Sequence, residues 1–138
     1  MCTPTRSSDL AAERPVEFLD LDDLVDLARI LLGGSPPIRD VGLLASAVAR
    51  PQTTVGGEDA YPTIWLKAAA LLQSVVGNHA LVDGNKRLGW LSVAVFLEIN
   101  DVSVAAASND DVYTLVMDVA QAELALDDIA DRLRHLID

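Results

Sequence analysis

The chain has 138 residues, enough to bury one core. It is 51% hydrophobic but only 4% aromatic, so that core must be built from Ala, Leu, Val and Ile, a composition that favours helices. The formal net charge of −11 argues against sequence-independent binding to nucleic acid and against an anionic membrane, each of which needs a cationic face.

Residues 1–15 carry Pro4, Ser7, Ser8 and Pro15 without a sustained period and read as a flexible lead-in to a domain over 16–138. Cys2 is the only cysteine, so neither an intramolecular disulfide nor a thiolate metal site is expected. Arg6 is not followed by an apolar leader, and the longest apolar run, Leu88 to Leu97, is too short to span a bilayer. A cytoplasmic location is expected.

From Leu19 the pattern is helical, with Leu21, Leu24, Val25, Ala28 and Leu31 recurring at three and four and acidic residues early. Gly33-Gly34 stops this helix and Ser35-Pro36-Pro37 prevents its continuation. A second helix follows, with Asp40 as its N-cap and Leu43, Leu44, Ala47 and Val48 on its inner stripe; Arg39 beside that cap suggests a local ion pair. The stretch Pro51 to Pro62 breaks the pattern, and Gly56-Gly57 can turn a small hairpin with Thr53-Thr54-Val55 as one arm. Two readings of this insert stay open, a binding flap or a connector. A third helix runs from about Thr63 to Val76, with Lys67 as its only charge. The fourth, Lys86 to Asn100, has almost no polar face and is therefore expected to be buried at the centre. Val102 to Ala107 reads as a connector; Ser108 caps a fifth helix and Leu126-Asp127-Asp128 begins a sixth. The expected fold is an all-α single-domain bundle of about six helices around the 86–100 helix, with a small flap at 51–62.

Between the third and fourth helices lies Asn78-His79-Ala80-Leu81-Val82-Asp83-Gly84-Asn85-Lys86-Arg87. Here the residue types point to chemistry. A helix start is a ready anion site, because its first N–H groups lack intrahelical partners and its dipole is positive there. Between Arg50 and Arg132 the only cations are Lys67, Lys86 and Arg87, and two of these three stand at this helix start. His79 can accept a proton at neutral pH. Asp83 offers hard carboxylate oxygen of the kind that holds Mg²⁺ together with a substrate's phosphates. Gly84 permits close backbone approach and Asn85 can donate an amide N–H. Lys86 supplies a point charge and Arg87 a planar fork for phosphate oxygens. Singly, each has a bland explanation: a structural histidine, a turn, a solvated charge pair. Their joint spacing suits transfer of part of a nucleotide.

The run His79 to Arg87 resembles the signature of the Fic/Doc superfamily, of general form H-[P/x]-F-x-[D/E]-G-N-[G/K]-R. With Lys86 in the variable place, and Trp90 where many members carry a second arginine, it is similar to the death-on-curing, or Doc-type, branch of toxins from toxin–antitoxin systems. Gly33-Gly34-Ser35-Pro36, Ile38-Arg39-Asp40, Leu43-Leu44, Ala49-Arg50-Pro51, Gly56-Gly57, Tyr61-Pro62 and Phe96-Leu97-Glu98 also match, so the resemblance spans roughly 18–136. It implies an all-α Fic bundle, with His79 as the base that activates a hydroxyl. Asp83 would organise Mg²⁺ and the nucleotide; Gly84, Asn85, Lys86 and Arg87 would cradle anionic oxygens. Thr53, Thr54, Val55, Gly56 and Gly57 would form a flap beside which the target segment docks. ATP would be the co-substrate, a translation elongation factor the target, and phosphoryl transfer the reaction, silenced by an antitoxin. No self-inhibitory helix is visible, Asp9 to Arg14 included, so that antitoxin is expected in trans. An AMP transferase and a non-catalytic interaction protein are the alternatives. Two departures stand out: Ala80-Leu81 replaces Pro-Phe, leaving room for a looser loop, and Leu88 stands where a small hydroxyl residue is common.

Overall fold

The computed structural model describes residues 15–121 and 124–137. The expected lead-in, Cys2 included, lies outside the described residues apart from Pro15. The described residues form six α-helices: α1 (Leu21–Leu32), α2 (Val41–Ala49), α3 (Ile64–Asn78), α4 (Asn85–Ile99), α5 (Asn109–Ala120) and α6 (Leu126–Ile137). A 3₁₀ turn (Arg50–Gln52) and a two-stranded antiparallel hairpin, β1 (Thr54–Val55) with β2 (Glu58–Asp59), separate α2 from α3. The all-α expectation holds, and Gly56 and Gly57 make the hairpin turn at φ 60° and 84°.

Local chemistry sets the helix boundaries. Asp20 caps α1 in a reciprocal pair with Asp23, each side chain accepting the other's backbone N–H (2.8 and 2.9 Å). Asp40 accepts from Leu43 N at 3.2 Å, Thr63 from Leu66 N at 3.1 Å and Ser108 from Asp111 N at 3.2 Å. Asn100 ties the entering chain to the end of α4: its amide exchanges two bonds with the Glu17 backbone, both 2.9 Å. Phe18 then stacks on Phe96 with centroids 6.1 Å apart.

The centre of the bundle is shared. Along α4, Leu88, Gly89, Ser92, Val93, Phe96 and Leu97 are buried, as its apolar character requires. Still, α3 is buried more completely, through nine of its fifteen residues, and it packs against α2, α4, α5, α6 and the 3₁₀ turn. The reason lies in Lys67. Its charge does not mark a solvent face: the side chain is 2% exposed, and its ammonium bonds Asp59 Oδ2 at 3.1 Å and the Tyr61 carbonyl. At Gly89 the two helices meet so closely that an added Cβ would stand 2.6 Å from Val76 Cγ2. Among the described residues no helix is long and apolar enough to cross a membrane.

Candidate functional site: the α3–α4 loop

The C-terminal turn of α3 ends on His79, which takes the left-handed conformation (φ 54°, ψ 45°) as the helix C-cap. Glycine or asparagine is usual at such a place, and a histidine held there stores backbone strain. The neighbouring strap 36–40 holds it. Arg39 donates from Nη2 to the His79 carbonyl, while Arg39 N and Asp40 N both donate to the Ala80 carbonyl at 2.7 and 3.0 Å. Val82 N donates to Pro37 O at 2.8 Å, and Ile38 pairs with Leu81 in an isolated bridge. Arg39 therefore grips the loop instead of pairing with Asp40.

Leu81 is 1% exposed and Ala80 2%, so this pair roots the loop in the core without an aromatic ring. Leu81 thus takes the anchoring place expected of it, with less area than an aromatic ring. Asn85 explains part of this: its Oδ1 accepts from Leu81 N at 2.9 Å and its Nδ2 donates to Leu81 O at 3.0 Å. The amide expected to serve a ligand is thus already engaged with the backbone, with one N–H remaining. Gly84 precedes α4 at φ 92°, a region favouring glycine, and a Cβ there would meet Leu32 Cδ2 at 3.0 Å.

Helical bonding in α4 begins with Leu88 N donating to Gly84 O at 2.9 Å, and no side chain caps the start. The N–H groups of Asn85, Lys86 and Arg87 therefore have no intrahelical acceptor. Lys86 and Arg87 are exposed, and neither side chain makes a hydrogen bond or ion pair with the described residues. His79, Asp83, Gly84, Asn85, Lys86 and Arg87 all line one cavity of about 690 Å³. Much of the remaining lining is apolar, with Trp90 and Leu91 from the next turn of α4 and Val112, Tyr113, Val116 and Met117 from α5. The residues from α5 were not expected as part of the site, because they lie far along the chain and their spacing is that of an ordinary amphipathic helix. Trp90 and Leu91 belong to the helix whose lack of a polar face suggests burial, and both are here part of the cavity lining.

Asp83 is exposed, with Oδ1 accepting from Gly84 N at 2.9 Å. Among the described residues no three His, Cys, Asp or Glu side chains gather into a metal site. A lone carboxylate beside an anion-binding helix start fits Mg²⁺ that arrives with phosphates better than a resident ion.

Of the flap residues, only Thr53 reaches a cleft, and it is a different one, also lined by Ser46, Ala49, Arg50, Ser74 and Asn78. Thr54, Val55, Gly56 and Gly57 line neither cavity and stand exposed on the hairpin. Two cations drawn inward, Lys67 buried and Arg50 half-buried, anchor the base of that hairpin. Lys67 holds Asp59 and the Tyr61 carbonyl, and Arg50 donates from Nε to Tyr61 Oη at 3.0 Å with its guanidinium carbon 5.4 Å from the ring centre.

Comparison with known proteins agrees with this geometry. Residues 18–97 match the model of the Fic/DOC family. Over 118 residues the chain is 52% identical to a protein named Toxin Doc from Mycolicibacterium smegmatis (strain ATCC 700084 / mc(2)155), covering 85% of this chain and 91% of that relative.

Proposed function

The chain belongs to the Fic/DOC family, and on that premise we propose that it is a Doc-type toxin that moves a phosphoryl group from Mg-ATP to a hydroxyl of a protein target. One observation carries the reading: a histidine, a carboxylate, two unpaired cations and an uncapped helix start line a single cavity whose remaining lining is largely apolar. That pairing of an anion cradle with an apolar wall suits a nucleotide, whose phosphates are charged and whose base is flat and poorly hydrated.

In the proposed reaction the target hydroxyl oxygen attacks the γ-phosphorus while the bond from that phosphorus to the β-bridging oxygen breaks, releasing ADP. The hydroxyl proton passes to the His79 imidazole. Strap 36–40 fixes the backbone from which this ring projects. Lys86, Arg87 and the N–H groups of residues 85–87 face the charge that spreads over the transferring oxygens. Asp83 would hold Mg²⁺, which supplies further neutralisation of phosphate charge when bound. Trp90 supports phosphoryl over AMP transfer: it gives the cavity an indole where many relatives of the family place a second phosphate-binding arginine.

The target proposed is a bacterial translation elongation factor, and the control proposed is an antitoxin chain that binds in trans. Incubation of the protein with a purified elongation factor and ATP labelled at either the α- or the γ-phosphate tests the reaction. Label transferred only from the γ position is expected. Transfer from the α position would make the protein an AMP transferase, and no transfer from either would leave a non-catalytic binding protein.

A further inference from the structure

We propose that the second cleft, of about 500 Å³ and lined by Ser46, Ala49, Arg50, Thr53, Ser74 and Asn78, is a subsite that reads a carboxylate on the protein target, with Arg50 as the reader. This rests on the phosphotransfer reading above and adds to it a rule of target choice.

The observation behind it is a charge without a counterion. Arg50 is half-buried, yet every group it touches is neutral: Tyr61 Oη at 3.0 Å from Nε, and Gln73 Oε1, Ser74 Oγ and the Ala70 carbonyl at 2.7, 3.1 and 3.4 Å from Nη1. Other cations of the fold are paired where they are drawn inward, Lys67 with Asp59 and Arg132 with Asp118. Charges withdrawn from water normally find a partner of opposite sign. Arg50 finds none among the described residues, although the chain has an excess of eleven negative charges. Its Nη2 makes no hydrogen bond, and no buried side-chain nitrogen or oxygen among the described residues lacks a partner. Nη2 is therefore open to solvent, on a residue that lines the cleft.

The rest of the cleft suits an acidic guest. None of its lining residues bears a negative charge. The hydroxyl of Thr53 donates to the Arg50 carbonyl at 2.7 Å and the Asn78 amide donates to Leu43 O at 3.3 Å, so both are fixed as walls. The Ser46 hydroxyl is exposed and makes no hydrogen bond among the described residues, which leaves it beside Arg50 as a second donor. Position gives the cleft its part in the reaction. It reaches from Thr53, at the foot of the flap, to Asn78, the residue before His79. A segment that lies along the hairpin and brings its hydroxyl to His79 would have this cleft beside its path. The chain's net charge of −11 disfavours a carboxylate over most of its surface, so a cationic cleft apart from the α4 cradle also sets the register of the segment.

Ser46 allows a test that leaves every bond of Arg50 in place. In Ser46→Asp a carboxylate on α2 competes for Nη2, whereas Ser46→Asn adds nearly the same volume without charge. With γ-labelled ATP and the elongation factor, the KM for the protein target should be about tenfold higher in Ser46→Asp than in Ser46→Asn, the size expected when a charge-assisted bond is lost. The KM for ATP should be equal in the two. A second arm uses peptides spanning the mapped modification site: replacing one flanking Asp or Glu by its amide should raise KM for the natural protein and add little in Ser46→Asp. Equal target KM in the two variants overturns the carboxylate subsite while leaving phosphotransfer intact. Absence of label transfer by the natural protein overturns both.

Discussion

The two ends of the α3–α4 region use the same residue types in opposite ways. At the flap, cations are tied: Lys67 is 2% exposed and fastened to Asp59 and the Tyr61 carbonyl, and Arg50 is fastened through Nε and Nη1. At the start of α4, Lys86 and Arg87 are exposed and bonded to nothing in the described chain, while the loop that presents them is itself clamped by Asn85 and strap 36–40. A cation tied at every group builds the fold, and one with an open edge on a rigid mount, whether Lys86, Arg87 or the Nη2 side of Arg50, is arranged for a ligand. Substitutions should therefore separate the two regions by which quantity they change: catalysis at the α4 end, flap order and target affinity at the other.

The largest effect should come from His79→Gly. Glycine accepts the left-handed backbone without penalty, so the thermal midpoint should not fall. Loss of the base should lower the transfer rate by about 10²–10⁴-fold. Measuring both on one preparation decides the matter, since a rate loss accompanied by unfolding would remove the contrast. Next is Arg87→Ala. An electrostatic donor to a transferring group is worth about 10²–10³-fold in rate, and an exposed side chain without partners contributes little to stability. The shift in thermal midpoint produced by saturating Mg-ATP should shrink, with the midpoint of the free protein unchanged. An unaltered nucleotide shift would remove Arg87 from the cradle.

How much of this contrast was legible in the sequence depends on the range over which each feature is encoded. Caps at Asp40 and Ser108, the Gly56-Gly57 turn and the start of α4 are local, fixed by a few neighbouring residues, and the chain spells them out. The motif residues converge for the same reason, being contiguous on one loop and one helical turn. What escaped is the choice a side chain makes among several available partners, which the fold decides. Asp59 stands eight residues from Lys67, yet the sequence does not say that the two will pair, and so α4 reads as the centre. Asn85 reads as a ligand donor until its amide is found on the Leu81 backbone. The apolar wall from Val112 to Met117 carries the periodicity of any packed helix, and only the fold turns part of it toward the loop.

The smallest global effect, and the sharpest check on the tied region, is expected from Lys67→Met. Methionine keeps the apolar stem and volume, so the core stays filled. It removes the cost of holding an ammonium away from water and also the two bonds that repay it, and such exchanges of a buried ion pair for an apolar side chain are often near neutral. Asp59 remains hydrated because its side chain is 57% exposed. The Tyr61 carbonyl loses the ammonium that now bonds it, a local cost of about 1–3 kcal/mol if water does not replace it. The midpoint of the whole domain should therefore move little, while amide exchange over 53–62 should accelerate relative to α3 and α4. Because the hairpin foot also carries Tyr61, which holds Arg50 through Nε, its loosening should raise the KM for the protein target several-fold and leave the KM for ATP as it was. Equal slowing with respect to both substrates would mean that the flap and the α4 cradle are one cooperative unit, and the division between tied and free cations would then describe burial alone.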